Sequence, residues 1–485
     1  MTDHDLDVAS PRTTPDPARW RVLALLGTAQ LMLILDITVV TIALPAIGGD
    51  LGLERAALTW VVSAYTLAFG GLMLLGGRLA DRFGSRRLVL TGLTIFTLAS
   101  LATGLATGPA LLLAGRVAQG VGAALLSPAA LSAVVTTFDG EERNRALGVW
   151  SALSGGGAAL GVLLGGLLTG GPGWPWIFFV NVPIGLVLLA ALLRLLPAGP
   201  VGSDRRRLDL LGAALVTAAT GAVLFALIGA GDRGWTDAAT MLWLVAGLVL
   251  YAVFALWQRA ADAPLMDLRL LVRRPVRAGT FLILAATALM IAVFFLGSFL
   301  LQRVHDLGPI ATGLLFLPVA VATMAGSQLA GTFLGRTGAR AMTLVAALVV
   351  AAGLALPACV GGVAAAVTGM AVGSAGIGAL FVVASATALG QVAPHEAGIA
   401  SGIVSTFHEF GAALGAAVIS SVAAAGIAGG TVQGIEAGFG FAAVVAVVAG
   451  ALVLALLPAR RPTTSTDPGT DAAARTGEPG PSDGS

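Results

Sequence analysis

Apolar runs of about twenty residues or more recur along the whole chain, and that is the length a helix needs to cross the roughly 30 Å hydrocarbon layer of a bilayer. They fall at 20–44, 58–77, 87–107, 110–136, 146–169, 175–196, 209–230, 238–257, 278–301, 309–334, 341–358, 362–389, 398–425 and 437–458. In lipid, every backbone polar group must be satisfied within its own segment or in a closed barrel. Runs this long therefore predict an all-α integral membrane protein with 14 transmembrane helices. Polar stretches frame the spans: 1–18, rich in Asp and Pro with no signal-peptide pattern, and 461–485, rich in Thr, Gly, Pro and Asp. Both read as disordered tails.

All 27 basic residues are arginines. Without a lysine there is neither a Walker A loop nor a Schiff-base amine, so ATP-driven transport and imine chemistry by this chain are excluded. The arginines are also placed asymmetrically. Loops after odd-numbered spans carry only Arg55, Arg233 and Arg303. Even-numbered loops and the tails hold the rest outside the spans, among them Arg143, Arg145, Arg205, Arg206, Arg207, Arg273, Arg274, Arg277, Arg336, Arg340, Arg460 and Arg461. By the positive-inside rule both termini lie in the cytoplasm, with Trp60, Trp174, Trp176 and Trp235 at the outer interface and Trp20, Trp150 and Trp257 at the inner one. The net charge of +2 is dispersed over short loops, which is the footprint of topology and not of a nucleic-acid partner. Cys359 is the one cysteine; no disulfide or cysteine metal site can form within the chain, and no cofactor is expected.

The stretch GGRLADRFGSRR at 76–87 reads as a tight cytoplasmic hairpin. Gly77 and Gly84 allow close packing and a turn, Asp81 can bond a helix end, and Arg82 and Arg86 face water or headgroups. A weaker copy lies 254 positions on, at Gly331, Arg336, Gly338 and Arg340, and the same offset carries Gly157 and Gly161 to Gly411 and Gly415. This predicts two six-helix bundles, 19–200 and 261–460, with an inserted helix pair at 201–260. Parallel repeats of this kind point to alternating access around a site near the bilayer midplane.

Asp36 follows Arg21 by about 22 Å of helix, and Arg116 lies about 10 Å inside the opposite surface, at a shared depth. An intramembrane charge is by default a functional hypothesis, here proton coupling, the alternative being a structural clamp between spans 1 and 4. His408 and Glu409, about 16 Å into span 13, are further proton-coupling candidates, or else a mutually satisfied pair. Tyr65, Gln119 and Gln328 are candidate liners of a substrate cavity. Gly157, Gly161 and Gly165 share one face of span 5, where a neighbouring helix can approach closely.

With these motifs in hand, the chain resembles the major facilitator superfamily, and within it the fourteen-helix drug:proton antiporter branch. The resemblance rests on LDITVVTIALP (Asp36, Thr38, Pro45), WVVSAYTLA (Trp60, Tyr65), the hairpin residues Gly77, Leu79, Asp81, Arg82, Gly84 and Arg86, the set Arg116, Gln119, Gly120, Gly122, and WPWIFFVNVPIG (Trp174, Trp176, Asn181, Pro183). It implies the major facilitator fold and a monomer in the bacterial cytoplasmic membrane. It also implies export of amphipathic small molecules driven by protons, with proton coupling at Asp36 and Arg116 and gating at Asp81. Val162, Thr41 and the His408-Glu409 pair depart from the branch pattern and leave import of a nutrient as the alternative direction.

Overall fold

A computed structural model describes residues 18–138, 140–197, 208–390, 392, 397–424, 427 and 431–457. The expected tails, apart from Ala18, lie outside these residues, as do Arg205, Arg206, Arg207, Arg460 and Arg461. Among the described residues every regular element is helical: α1 Ala18–Leu51, α2 Arg55–Phe83, α3 Ser85–Gly104, α4 Pro109–Thr137, α5 Gly140–Gly170, α6 Trp176–Phe179, α7 Asn181–Leu195, α8 Leu210–Arg233, α9 Ala238–Ala260, α10 Leu268–Val272, α11 Arg274–Phe299 continued by a π turn Leu300–Val304, α12 Pro309–Cys359, α13 Val363–Leu389, α14 Ala397–Val422 and α15 Val432–Leu456. Among the described residues twelve helical stretches are long and apolar enough to cross a membrane. One of them, α12, has 51 residues, about 76 Å of helix and far more than one crossing needs, and its backbone turns at Gly338 (φ 79°, ψ 158°).

Two prolines lie at or inside expected spans without ending the helix. Pro183 has no N–H to give the Phe179 carbonyl, so the run expected at 175–196 loses one ladder bond beside Val180, whose backbone stays helical (φ −59°, ψ −29°), and α6 and α7 form one membrane-length stretch Trp176–Leu195. Pro45 likewise does not end α1, which continues to Leu51. The carbonyl of Ile42, three residues before the proline, accepts from Ser298 Oγ (3.4 Å) and Gln302 Nε2 (2.8 Å) at the end of α11.

The repeat is visible in backbone geometry. Gly84 links α2 to α3 at φ 88°, and Gly338, its counterpart, sits at φ 79°. Both positions need a residue without a Cβ. A Cβ on Gly122 would stand 2.8 Å from the Gly92 carbonyl oxygen, and one on Gly376 would stand 2.7 Å from that of Ala346, the same offset at both contacts. Equivalent pairs of helices pack in the two halves: α1 on α5 and α11 on α14, α2 on α4 and α12 on α13. In the hairpin, Gly76 and not Gly77 makes the close approach. A Cβ on Gly76 would strike the Ala124 carbonyl, whereas Gly77 has 3.8 Å to Pro128. The expected packing role therefore shifts by one residue, because Gly76 faces α4.

The halves meet along α2–α14, α5–α12 and α1–α11. An apolar cluster including Ile42, Leu58, Leu289, Phe295 and Phe316 runs through both halves, while Leu26, Leu33, Phe69, Phe96 and Phe138 form a core inside the first. The inserted pair α8–α9 is pinned at its start by Asp209, which accepts from Gly212 N (2.7 Å), Trp257 Nε1 (2.7 Å) and Gln258 Nε2 (2.5 Å). Its helix α8 packs against both α2 and α14. We call the end carrying Ala18, Gly84 and Leu457 terminal and the end carrying Arg55 and Trp174 distal.

Candidate functional site

Small residues on α4 let the helices of the first half close around a polar group. Gly120 lies against the Tyr65 backbone and Gly122 against α3, so α4 can present Arg116 and Gln119, one helical turn apart, to α1 and α2. Arg116 and Asp36 form an ion pair in which both side chains are 1% exposed. Arg116 Nη1 donates to Asp36 Oδ2 and to Gln119 Oε1 (2.9 Å), and its Nε donates to the Val61 carbonyl (2.8 Å). Gln119 Nε2 then donates to Asp36 Oδ1 (3.1 Å) and to Ser100 Oγ (2.8 Å). The guanidinium lies 4.4 Å from the Tyr65 ring, whose hydroxyl donates to the Leu33 carbonyl (3.4 Å).

A buried ion pair returns its desolvation cost only when its remaining hydrogen-bonding capacity is filled. Here both Asp36 oxygens are engaged, Arg116 has three protein acceptors and an aromatic face, and only its Nη2 lacks a partner. Asp36 also lines a crevice of about 110 Å³ among α1, α5, α6 and α7, walled by Leu31, Leu35, Leu164 and Ile184. Asn181, buried with an unpartnered Nδ2, lines the same crevice. The charged pair and its opening thus both belong to the first half.

The other expected residues are distributed as follows. Tyr65 and Gln119, expected to line the substrate cavity, are fully buried within the ion-pair network. Gln328 is exposed on α12. His408 and Glu409 do not pair with each other. The His408 ring nitrogen Nδ1 is 2.9 Å from Thr287 Oγ1 and its ring packs on Phe381 (5.7 Å between centroids). Glu409 turns to the α2–α14 seam, where its Cβ would lie 2.7 Å from a Cβ on Gly70, and its Oε2 has no hydrogen-bond partner. A mutually satisfied pair is excluded because consecutive helical residues point about 100° apart, toward different neighbours.

In the hairpin, Arg86 Nη2 donates to the Leu193 carbonyl (2.6 Å), Arg82 stacks on Phe83 (5.4 Å), and Asp81 is exposed at the end of α2. Gly157, Gly161 and Gly165 all face α1, meeting Ile34, Thr38 and Val39, while Gly411 and Gly415 meet Leu284 and Ala288 of α11. Sequence reasoning did not foresee Ser100, the Val61 carbonyl or Thr287 as partners. A serine or threonine on an apolar span gives no sign of which neighbour it will meet. Among the described residues no group of three or more His, Cys, Asp or Glu could hold a metal ion.

Repeated helical packing in two halves and a buried ion-pair network inside the first are the architecture of a polytopic membrane protein. The chain belongs to the Major Facilitator Superfamily, whose family model matches residues 26–416. It is 40% identical over 420 residues to the puromycin resistance protein of Streptomyces alboniger, covering 82% of this chain and 81% of that one. It is 37% identical over 414 residues to the cephamycin export protein of Amycolatopsis lactamdurans, covering 83% and 84%. Among solved structures, a bacterial homologue of the human lysosomal transporter Spinster, inward-facing and unoccupied, superposes with a TM-score of 0.65 at 17% identity, covering 91% of this chain and 98% of that one. The nucleoside transporter NupG superposes at 0.64 and 14% identity, covering 91% and 100%.

Proposed function

We propose that this chain is a proton-coupled antiporter that exports amphipathic small molecules across the bacterial cytoplasmic membrane by alternating access. The observation that carries the proton step is a carboxylate, Asp36, buried inside the helix bundle and held by Arg116 and Gln119 of α4, whose other bonds survive its neutralisation. When Asp36 takes a proton, Arg116 keeps the Val61 carbonyl and the Tyr65 ring, so α1 gains freedom against α4 without leaving the guanidinium bare. One proton entering down about 100 mV supplies about 2.3 kcal/mol from the electrical part of the gradient, so no cofactor is needed. Glu409, buried with a free oxygen at the seam, is the second candidate carrier.

Direction rests on the relatives, which are named for resistance and export. Orientation rests on the arginines: apart from buried Arg116, the described ones cluster at the terminal end, which is therefore cytoplasmic, with Arg55, Arg233 and Arg303 as the exceptions. Counting α12 as two spans about Gly338 and α5, 31 residues long, as another brings the twelve stretches to the expected fourteen. The distal seam is packed, so this conformation is closed to the outside, with Asp81 and the Gly84 turn gating the cytoplasmic face. The unit of transport is the monomer.

The test is accumulation of puromycin, a cephamycin and lipophilic dyes in cells with and without the protein, before and after an uncoupler. Export predicts lower accumulation of at least one compound, restored by the uncoupler. Equal accumulation across the panel contradicts export, and a difference that survives the uncoupler contradicts proton drive.

A further inference from the structure

Among the described residues three arginines besides buried Arg116 break the pattern that keeps cations at the terminal end: Arg55, Arg233 and Arg303. Two of them stitch the seam between the halves. Arg303 Nη2 donates to the Pro45 carbonyl (3.2 Å), joining α11 to α1 from an exposed position. Arg55 is held far more tightly, with its side chain 3% exposed. Its Nε donates to Asp232 Oδ1 (3.1 Å), its Nη2 meets Asp232 Oδ2 (2.7 Å) and the Ile228 carbonyl (2.7 Å), and its Nη1 donates to Ser420 Oγ (2.7 Å).

Those partners belong to different bodies. Arg55 opens α2 of the first half, Asp232 and Ile228 end α8 of the inserted pair, and Ser420 ends α14 of the second half. Ser420 Oγ is also 2.5 Å from Thr59 Oγ1 on α2, and Ser421 Oγ donates to the Leu227 carbonyl on α8. Below this junction Leu224 and Ile228 of α8 pack with Ala413 and Ala417 of α14. Gly231 leaves room for the guanidinium: a Cβ there would stand 2.8 Å from Arg55 Cζ and 2.9 Å from Ser421 Cα.

We propose that Arg55 is a positioning residue of the transport cycle, which makes helix α8 of the inserted pair a latch on the distal gate. This rests on the alternating-access reading above. The relative strengths of its bonds say how the latch parts. An arginine cannot shed its charge, so Arg55 must keep a counter-charge or be hydrated when the seam opens. Its paired bonds to Asp232 are charge-assisted on both sides and roughly twice as strong as neutral ones, while Ser420 and Ser421 offer α14 only hydroxyls. Asp232 is 54% exposed and can move with α8 without further desolvation. The break therefore falls between α14 and the α2–α8 pair, and α8 travels with the first half.

The experiment uses the full chain in membranes with Cys359→Ala and a single cysteine, either at Ala417, buried in the latch seam, or at Gln328, exposed on α12. An impermeant maleimide is applied from the distal side for the first and from the terminal side for the second. Arg55→Met and, separately, the double variant Ser420→Ala with Ser421→Ala should raise modification at 417 by on the order of tenfold and lower it at 328, a population shift toward the distal-open state. A variant that is merely loosened raises both rates together, which overturns the latch. If an imposed proton gradient shifts the unaltered protein reciprocally while both variants behave as it does, the latch is wrong and alternating access stands. If no form shows a reciprocal change, alternating access falls, and the latch with it.

Discussion

Asp36 and Arg116 pair inside one half of the molecule, from α1 to α4, and not across the seam where the halves meet. Rocking of the halves therefore does not by itself break the pair. What breaks it is a change in Asp36, and the effect is to loosen α1 within its own bundle.

Arg116 should not be replaceable by lysine. A point charge cannot reach Asp36, Gln119 and the Val61 carbonyl together while lying over Tyr65. Arg116→Met leaves the carboxylate buried without its counter-charge and should cost about 3–5 kcal/mol. Adding Asp36→Asn should recover part of that loss, which thermal unfolding of the purified single and double variants will show. A double variant less stable than Arg116→Met alone would mean the two residues are not coupled.

Glu409→Gln should leave insertion intact and stability at or above that of the unaltered chain, because an acid with an unpartnered buried oxygen is replaced by a neutral group of the same shape. A clear loss of thermal stability would show that the carboxylate has a partner in the membrane.

Gly161→Val should separate α1 from α5, since the added side chain meets Thr38, with a cost of about 1–3 kcal/mol. Gly331→Ala, at a repeat position with open space around it, should be nearly silent. Expression yield and unfolding temperature of the two variants give the comparison. Equal losses would place the glycine effect in helix flexibility and not in packing.

Much of this was legible from the residues. The Asp36–Arg116 pair follows from helical rise and shared depth, and the Gly84–Gly338 equivalence from a fixed offset. Partner choice was not legible, because lipid gives side chains no common direction to hide in and helices associate through shape. Thus Gly76 and not Gly77 packs on α4, and His408 and Glu409, adjacent in sequence, face separate helices. The bonds from Ser298 and Gln302 of α11 to the Ile42 carbonyl of α1 join residues more than 250 apart, which no local pattern announces.

Proton coupling through Asp36 is tested by transport into inverted vesicles given an acid lumen, with substrate uptake and lumenal pH followed together in the unaltered chain and in Asp36→Asn. The unaltered chain should take up substrate uphill and release lumenal protons as it does so. Asp36→Asn should insert normally, keep downhill exchange and lose both uphill uptake and the linked pH change. Uphill uptake with proton release retained in Asp36→Asn would contradict the assignment and move the proton site to Glu409.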